Sequence, residues 1–229
     1  MEHFAEELMA EMTCENIVIP LFGGIAIPES IIATWGIMAF LMILTLVCVR
    51  NLKMVPTGVQ NYVESVVGFC NNFFGDLLGK HGKRYIPYLG TVALYIACAN
   101  MSGLVGVKSP TKDLNVTAAL AIMSIILIEY SGIHEKGLKG WLRGFIEPIP
   151  IIAPINILEL FIRPLSLCMR LFGNVLGAFI VMEMIKLCVP AVVPVPFSLY
   201  FDIFDGLIQT YIFVFLTSLF MAEKMEGHE

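Results

Sequence analysis

Long stretches without a charged residue limit what this sequence can fold into. The first, from Ile31 to Val49, is nineteen residues long, which is the length that an α-helix needs to cross a bilayer. Similar stretches cover residues 86–107 and 114–131, the latter with Glu129 near its end. The 229-residue chain is 58% hydrophobic and 14% charged, whereas soluble domains have about 25% charged residues. The sequence therefore predicts an all-α integral membrane protein.

Residues 55–79 form a segment that is too polar to cross a membrane. Apolar residues recur in it at helical spacing between Val59 and Phe74, opposite Gln60 and Glu64. This pattern predicts an amphipathic helix that lies at the membrane surface. A helix packed in a soluble core is the weaker alternative, because no soluble domain accompanies the segment.

The distribution of Lys and Arg predicts the orientation. We expect about five membrane helices, with the N-terminal segment 1–30 outside and the C-terminus in the cytoplasm. Positive residues then concentrate on the cytoplasmic side, as membrane proteins prefer. Lys108 and Lys112 fall outside, and the cytoplasmic residues are Arg50, Lys53, Lys80, Lys83, Arg84, Lys136, Lys139, Arg143 and Lys224.

The last two predicted helices, 154–187 and 196–223, are unusually long. At about 1.5 Å per residue they extend about 51 Å and 42 Å, against a hydrocarbon core of about 30 Å. Unless they break, both are steeply tilted. A short proline-rich link makes them an antiparallel hairpin, and we expect them to hold nearly all the buried polar groups.

Arg170 places a permanent charge inside the first of these apolar helices. Glu159, Arg163 and Arg170 follow at steps of four and seven, which puts them on one helical face. Glu159 and Arg163 can pair, which leaves Arg170 as the unpaired charge of the series. A charge in hydrocarbon costs about 2.5–3.5 kcal/mol on insertion scales, so a functional role is favoured over a structural ion pair.

The second long helix carries Asp202, Asp205 and Gln209 as one polar stripe. Carboxylates in apolar surroundings suit groups that take up and release protons. Alternatives are an ion pair with Lys186 or exposure at the outer interface, and Lys186 can equally neutralise Glu183. The scattered cysteines and the histidines outside the spans predict neither a metal site nor a cofactor, and no hydrolase or phosphate-binding motif is present.

Several segments resemble subunit a of the F-type ATP synthase membrane sector. They are RPLSLCMRLFGN (163–174), LIQTYIFVFLTSLF (207–220), VPTGVQNYVE (55–64), ANMSGLVG (99–106) and PTKDLNVTAALA (110–121). The resemblance covers nearly the whole chain in the same order. It implies a non-catalytic subunit of the complex, in a bacterial cell membrane, with the c-subunit ring and the b-subunit stalk as partners.

The resemblance also implies a mechanism. Two aqueous half-channels pass ions to and from carboxylates on the rotating c ring, and the arginine that matches Arg170 separates them. The asparagine and glutamine of the family match Asn174 and Gln209. Many bacterial members have an acidic residue where this chain has Phe179, and Glu183 lies one turn further along.

We therefore expect Asp202 and Glu183 to line the outer half-channel, with Asp205 as a weaker candidate. Glu159 and Asn174 are expected on the cytoplasmic side. Protons are the expected ion, with sodium as the alternative. Two other functions stay open at this point, a structural stator anchor and a stand-alone channel or transporter, although no internal repeat is visible.

Overall fold

The computed structural model describes residues 16–19, 25–50, 58–79, 82–105, 109–144, 151, 153–188 and 194–225. Most of the predicted N-terminal segment 1–30, the residues 55–57 and 106–107 at the ends of predicted elements, and most of the proline-rich link lie outside these ranges. The chain divides into two compact units. The first comprises the described residues of Met1–Leu41, Tyr95–Thr117 and Met169–Thr210, and the second those of Met42–Leu94, Ala118–Cys168 and Tyr211–Glu229.

The predicted helical class is confirmed, and two short strands near the N-terminus are added to it. Strand β1 (Asn16–Ile19) pairs with β2 (Ile25–Pro28) in antiparallel register, with Ile17 opposite Ile27. Each strand has four residues, of which three in β1 and two in β2 are β-branched, and so short a pattern does not reveal a hairpin beside long apolar helices. All other regular structure in the described part of the chain is helical.

Helix α1 (Glu29–Val49) is apolar on all sides. No residue is buried in its most hydrophobic window, which has a mean hydropathy of 2.4, so that part of α1 is available to lipid. Near its start, Ser30 is buried. Helix α2 (Val59–Leu78) follows a turn at Gly58 and ends at Gly79. It buries Phe74 and Leu78 and exposes the apolar residues Tyr62, Val66 and Phe69. Those three residues are spaced four and three apart, which gives the stripe of a surface helix.

The next two helices differ at their ends from the predicted spans. Helix α3 (Ile86–Met101) follows a 3-10 turn, Gly82–Tyr85, and continues as another, Ser102–Val105. Helix α4 (Leu114–Gly144) runs well beyond the predicted end at residue 131. Gly137 interrupts it with φ 70° and ψ 164°, a backbone conformation that glycine adopts easily. A third 3-10 turn, Pro110–Lys112, precedes α4.

Helix α5 (Ala153–Cys188) is a continuous helix of 36 residues that contains Pro164. The last predicted helix begins as α6 (Pro194–Leu199), passes through a π-helix at Tyr200–Asp205, and continues as α7 (Gly206–Met225). A π-helix takes one residue more per hydrogen-bonded turn than an α-helix does. Hydrophobic periodicity does not reveal that extra residue.

Four helical stretches are long and apolar enough to cross a membrane: Glu29–Val49, Leu114–Gly144, Ala153–Lys186 and Pro196–Met225. The chain is therefore a multi-pass membrane protein. In the second unit, side chains that are at most 2% exposed include Leu89, Ile128, Leu167, Phe213 and Met221. Buried polar residues also occur on α3 and α4, among them Asn100, Thr117 and Ser124, so the expectation that the two long helices hold nearly all of them was wrong.

Candidate functional site

A cavity of 370 Å³ lies within the first unit, and several charged and amide-bearing side chains are among the residues that line it. Residues from α3 and its 3-10 continuation, the turn before α4, the middle of α5, and the π-helix line it. The charged and amide-bearing lining residues are Asn100, Lys112, Asn174, Glu183, Lys186, Asp202 and Asp205. Four residues that the sequence singled out, Asn174, Glu183, Asp202 and Asp205, therefore share one cavity.

Asp205 is positioned by α5. The side-chain amide of Asn174 donates a hydrogen bond of 2.7 Å from Nδ2 to Oδ2 of Asp205. Both residues are partly buried. An amide donor stabilises a carboxylate acceptor without neutralising it, so Asp205 can still take up and release a proton.

Asp202 is held by the turn that precedes it and by a glycine on another element. The hydroxyl of Ser198 donates a hydrogen bond of 2.9 Å to Oδ2 of Asp202, four residues later. Oδ1 of Asp202 lies 2.9 Å from the point where a Cβ on Gly103 would be. Since real Cβ atoms essentially never come closer than 3.0 Å to another heavy atom, the carboxylate occupies space that only glycine leaves free.

The two lysines of the cavity have different environments. Lys186 forms an ion pair of 2.5 Å with Glu183, three residues earlier on α5, which was one of the sequence alternatives. Lys112 places Nζ 3.3 Å from the centroid of the Phe179 ring. An ammonium group on the face of an aromatic ring is stabilised by the ring quadrupole.

A polar cluster that sequence analysis missed lies beside these carboxylates. Asn100 donates from Nδ2 to the carbonyl oxygen of Gly206 at 3.2 Å and accepts from the hydroxyl of Thr111 at 3.0 Å. Ser109 adds hydroxyl contacts to Thr111 at 2.6 Å and to the carbonyl oxygen of Ala99 at 2.7 Å. The short polar segments around residues 100 and 109–113 are the sequence signal for this cluster. Such segments are also typical of the loops that join membrane helices, so the pattern alone does not indicate a cluster.

Arg170 and Gln209 are not among the residues that line the cavity. Within the described ranges, Arg170 forms no hydrogen bond or ion pair, and its side chain is partly exposed. Gln209 is only 4% exposed, and its Nε2 atom has no hydrogen-bond partner among the described residues. A buried amide without a hydrogen-bond partner is costly, so Nε2 of Gln209 is a candidate for a contact with a group outside the described residues.

Glu159 lies in the second unit and has a different environment from Asn174. Arg163 donates from Nη2 to Glu159 and to Glu223, at 2.7 Å each, and its guanidinium lies 4.8 Å from the ring centroid of Phe220. The predicted pair of Glu159 and Arg163 is confirmed. Asn174 lines the cavity together with Asp205, and the expected place of Asn174 and Glu159 on the cytoplasmic side stays a prediction.

Among the described residues, no group of three or more His, Cys, Asp or Glu side chains could hold a metal ion. The cavity instead brings together carboxylates, amides and hydroxyls. Carboxylates can take up and release protons, and amides and hydroxyls can form hydrogen bonds with them and with water.

The sequence also matches known proteins. Residues 31–222 match the family profile described as ATP synthase A chain. The chain is 36% identical to a protein named ATP synthase subunit a from Moorella thermoacetica, over 207 residues that cover 90% of this chain and 94% of the relative. The chain belongs to the ATP synthase subunit a family.

Membership of the ATP synthase subunit a family confirms the resemblance drawn from the sequence motifs. The matched range of the family runs from α1 to near the end of α7, and it includes the whole cavity, Arg170 and Gln209.

Proposed function

We propose that this chain is the ion-translocating stator subunit of a rotary ATP synthase. It contributes no ATP chemistry of its own. Two half-channels pass protons to and from carboxylates on a c-subunit ring, and Arg170 separates the half-channels. The b-subunit stalk and the remaining subunits hold the chain against the turning ring.

The observation that carries this proposal is that Arg170 lacks an ion-pair partner among the described residues. Arg163, seven residues earlier on α5, has two carboxylate partners, whereas Arg170 has no ion-pair partner in the part of the chain that the structure describes. A permanent charge in an apolar helix needs a partner or water. A carboxylate on a neighbouring subunit satisfies that need, and the guanidinium in turn favours the ionised form of that carboxylate.

The surface beside Arg170 can accommodate a helix of a neighbouring subunit. Gly173 and Gly177 are exposed, and nothing lies within 4 Å of the positions that their Cβ atoms would take. Leu165 and Met169 are exposed on the turn before. Small residues allow another helix to approach closely, which is the contact that a passing c subunit requires.

The cavity of the first unit is the proposed outer half-channel. Asp202 and Asp205 are its proton-carrying groups, and Asn174 positions Asp205. Glu183 lies in the same cavity, but its ion pair with Lys186 makes it the weaker carrier. Gln209 is a further proposed site residue, close in sequence to the π-helix. Glu159, bonded to Arg163, stays a proposed contributor on the cytoplasmic side.

The proposed topology has five crossings in a bacterial cell membrane. Helix α3 has 16 residues, which rise about 24 Å, and the 3-10 turn Ser102–Val105 adds about 8 Å. Together they match a hydrocarbon core of about 30 Å. The exposed Lys83, Arg84, Lys139 and Arg143 then lie on the cytoplasmic side with α2, which supports an outer N-terminus and a cytoplasmic C-terminus.

The deciding experiment is ATP-driven ion uptake into proteoliposomes that contain the whole complex. Arg170→Ala should abolish coupled uptake, since protons can then pass between the half-channels without turning the ring. Arg163→Ala is the matched control: it removes the same charge from the same helix, and its two carboxylate partners are about half exposed and can be hydrated. It should keep coupled uptake.

Two outcomes would change the conclusion. Full coupled transport by Arg170→Ala would make the chain a structural anchor of the stator. Ion flux through the purified chain alone, without a c ring, would make it a stand-alone channel. Collapse of the wild-type signal by a protonophore identifies the proton, and sodium uptake that survives the protonophore identifies sodium.

A further inference from the structure

Helix α4 turns back on itself at Gly137. Nε1 of Trp141 donates a hydrogen bond of 2.6 Å to Oε2 of Glu129, although the two residues are 12 positions apart. In a straight helix they would be about 18 Å apart along the axis. A Cβ on Gly132 would lie 3.5 Å from Cδ1 of Trp141, so the indole also lies against that glycine. The backbone conformation of Gly137 therefore lets residues 138–144 fold back beside the preceding part of α4.

This folded-back segment, residues 138–144, lies at the level of the membrane boundary. The apolar stretch 114–131 of α4 rises about 27 Å, which nearly spans a hydrocarbon core of about 30 Å. Glu129 and Gly132 are therefore near one edge of the core, and Trp141 contacts both. Tryptophan is enriched at this depth, where its ring is in apolar surroundings and its N–H finds a hydrogen-bond acceptor.

The folded-back segment exposes two kinds of side chain. Leu138 and Leu142 are four residues apart, share one helical face, and are 61% and 53% exposed. Lys139 is exposed at the next position, and its ammonium group forms no hydrogen bond or ion pair with a residue that the structure describes. Exposed leucines beside a lysine, at the edge of the hydrocarbon core, are typical of a segment that lies in the membrane interface.

We propose that the folded-back segment binds an anionic phospholipid, with the ammonium group of Lys139 on the headgroup and with Leu138 and Leu142 among the acyl chains. The two leucines favour a lipid over a free phosphate ion, because a free ion has no apolar part for them to contact. A zwitterionic headgroup carries its own cation beside the phosphate, whereas an anionic headgroup keeps a net charge for the lysine. One lysine near a membrane surface contributes a preference of about fivefold.

The test is photo-labelling of the whole complex in proteoliposomes that contain equal amounts of phosphatidylglycerol and phosphatidylcholine. One lipid at a time carries a photoreactive acyl chain, and mass spectrometry of peptides measures the labelling of residues 138–144. Labelling of α1, which is exposed and apolar, corrects for the lipid present around the complex. In the wild type we expect phosphatidylglycerol to label the segment about fivefold more than phosphatidylcholine does.

Three variants show whether Lys139 causes this preference. Lys139→Gln should bring the ratio of the two labels close to one, and Lys139→Arg should keep the wild-type ratio. Lys83→Gln is the matched control, because it removes an exposed lysine that lies outside the segment. It should leave the ratio at residues 138–144 unchanged.

Four results would overturn the proposal. Equal labelling by both lipids in the wild type would show no preference for an anionic headgroup, and absence of both labels while α1 is labelled would place the segment away from lipid. A ratio that Lys139→Gln leaves unchanged, or that Lys83→Gln lowers equally, would remove Lys139 from the site. Loss of the preference on addition of inorganic phosphate, at constant ionic strength, would assign the site to a free anion. None of these measurements involves ion transport, so the proposal stands or fails independently of the role of Arg170.

Discussion

Nδ2 of Asn174 and Oδ2 of Asp205 lie 2.7 Å apart, which joins the middle of α5 to the last residue of the π-helix. The bond connects two residues that are 31 positions apart in the sequence. It fixes the direction in which the Asp205 carboxylate points. Two substitutions separate that positioning from the acid chemistry.

Asp205→Asn keeps a side-chain oxygen for Asn174 but removes the acid. If Asp205 carries protons, coupled proton uptake should fall on the order of tenfold or more. Asn174→Leu keeps the acid and removes its donor. It should cost about fivefold, the factor that corresponds to about 1 kcal/mol for one hydrogen bond. Equal, full uptake by both variants would remove Asp205 from the path.

Gly103→Ala tests the contact between Asp202 and the 3-10 turn after α3. The new Cβ would lie 2.9 Å from Oδ1 of Asp202, so the carboxylate must move and weaken its bond from Ser198. We expect slower proton uptake, together with normal assembly of the complex. Gly90→Ala, on α3, is the control, because nothing lies within 4 Å of its added Cβ. Similar losses in both variants would contradict the prediction.

Gln209→Leu should stabilise the protein while it lowers coupled uptake. The buried Nε2 of Gln209 has no partner within the described residues, and a buried polar group without a hydrogen bond costs about 1–3 kcal/mol. Leucine removes that cost, so the thermal dissociation temperature of the detergent-solubilised complex should rise or stay the same.

The neighbouring residue provides the control for Gln209. Thr210→Val loses a satisfied hydrogen bond of 2.8 Å to the carbonyl oxygen of Gly206. It should lower the dissociation temperature and leave uptake per assembled complex unchanged. A fall in both stability and uptake for Gln209→Leu would instead show that its amide has a structural partner.

Glu129 should matter for stability and not for transport. Its Oε2 accepts a hydrogen bond of 2.6 Å from Nε1 of Trp141, and its Oε1 lies 3.5 Å from Nζ of Lys224. Glu129→Leu loses both contacts and should lower the free energy of unfolding by about 1–3 kcal/mol. Glu129→Gln keeps the acceptor for Trp141 and should cost less. Thermal dissociation measures both, and a transport defect in either variant would contradict this assignment.

The sequence predicted the parts of the fold that depend on where the uncharged stretches begin and how long they are. Uncharged length located the helices that begin at Glu29 and Leu114, because hydrocarbon excludes charge at any position along a span. It did not locate the end of α4, since the polar turns beyond residue 131 still form a helix. The strands β1 and β2 were missed because four residues give too short a period to recognise.

The candidate site was predictable one helix at a time. Spacing along α5 identified Arg170 and the pair of Glu159 and Arg163, since helical periodicity fixes neighbours on the same helix. Contacts between helices had no such signal. The bond from Asn174 to Asp205, the second partner of Arg163 and the cluster around Asn100 all depend on how separate elements pack, which a single sequence does not encode as a local pattern.

The π-helix at Tyr200–Asp205 has a consequence for how this family member can change. Each residue of an α-helix turns the chain by about 100°, so removing one residue from the π-helix would rotate everything before it by about that angle. Ser198 would then face away from its present neighbours, while Gln209, downstream in α7, would keep its position. A one-residue insertion or deletion here is thus an evolutionary route by which the composition of the cavity wall can be exchanged without disturbing the helix that follows.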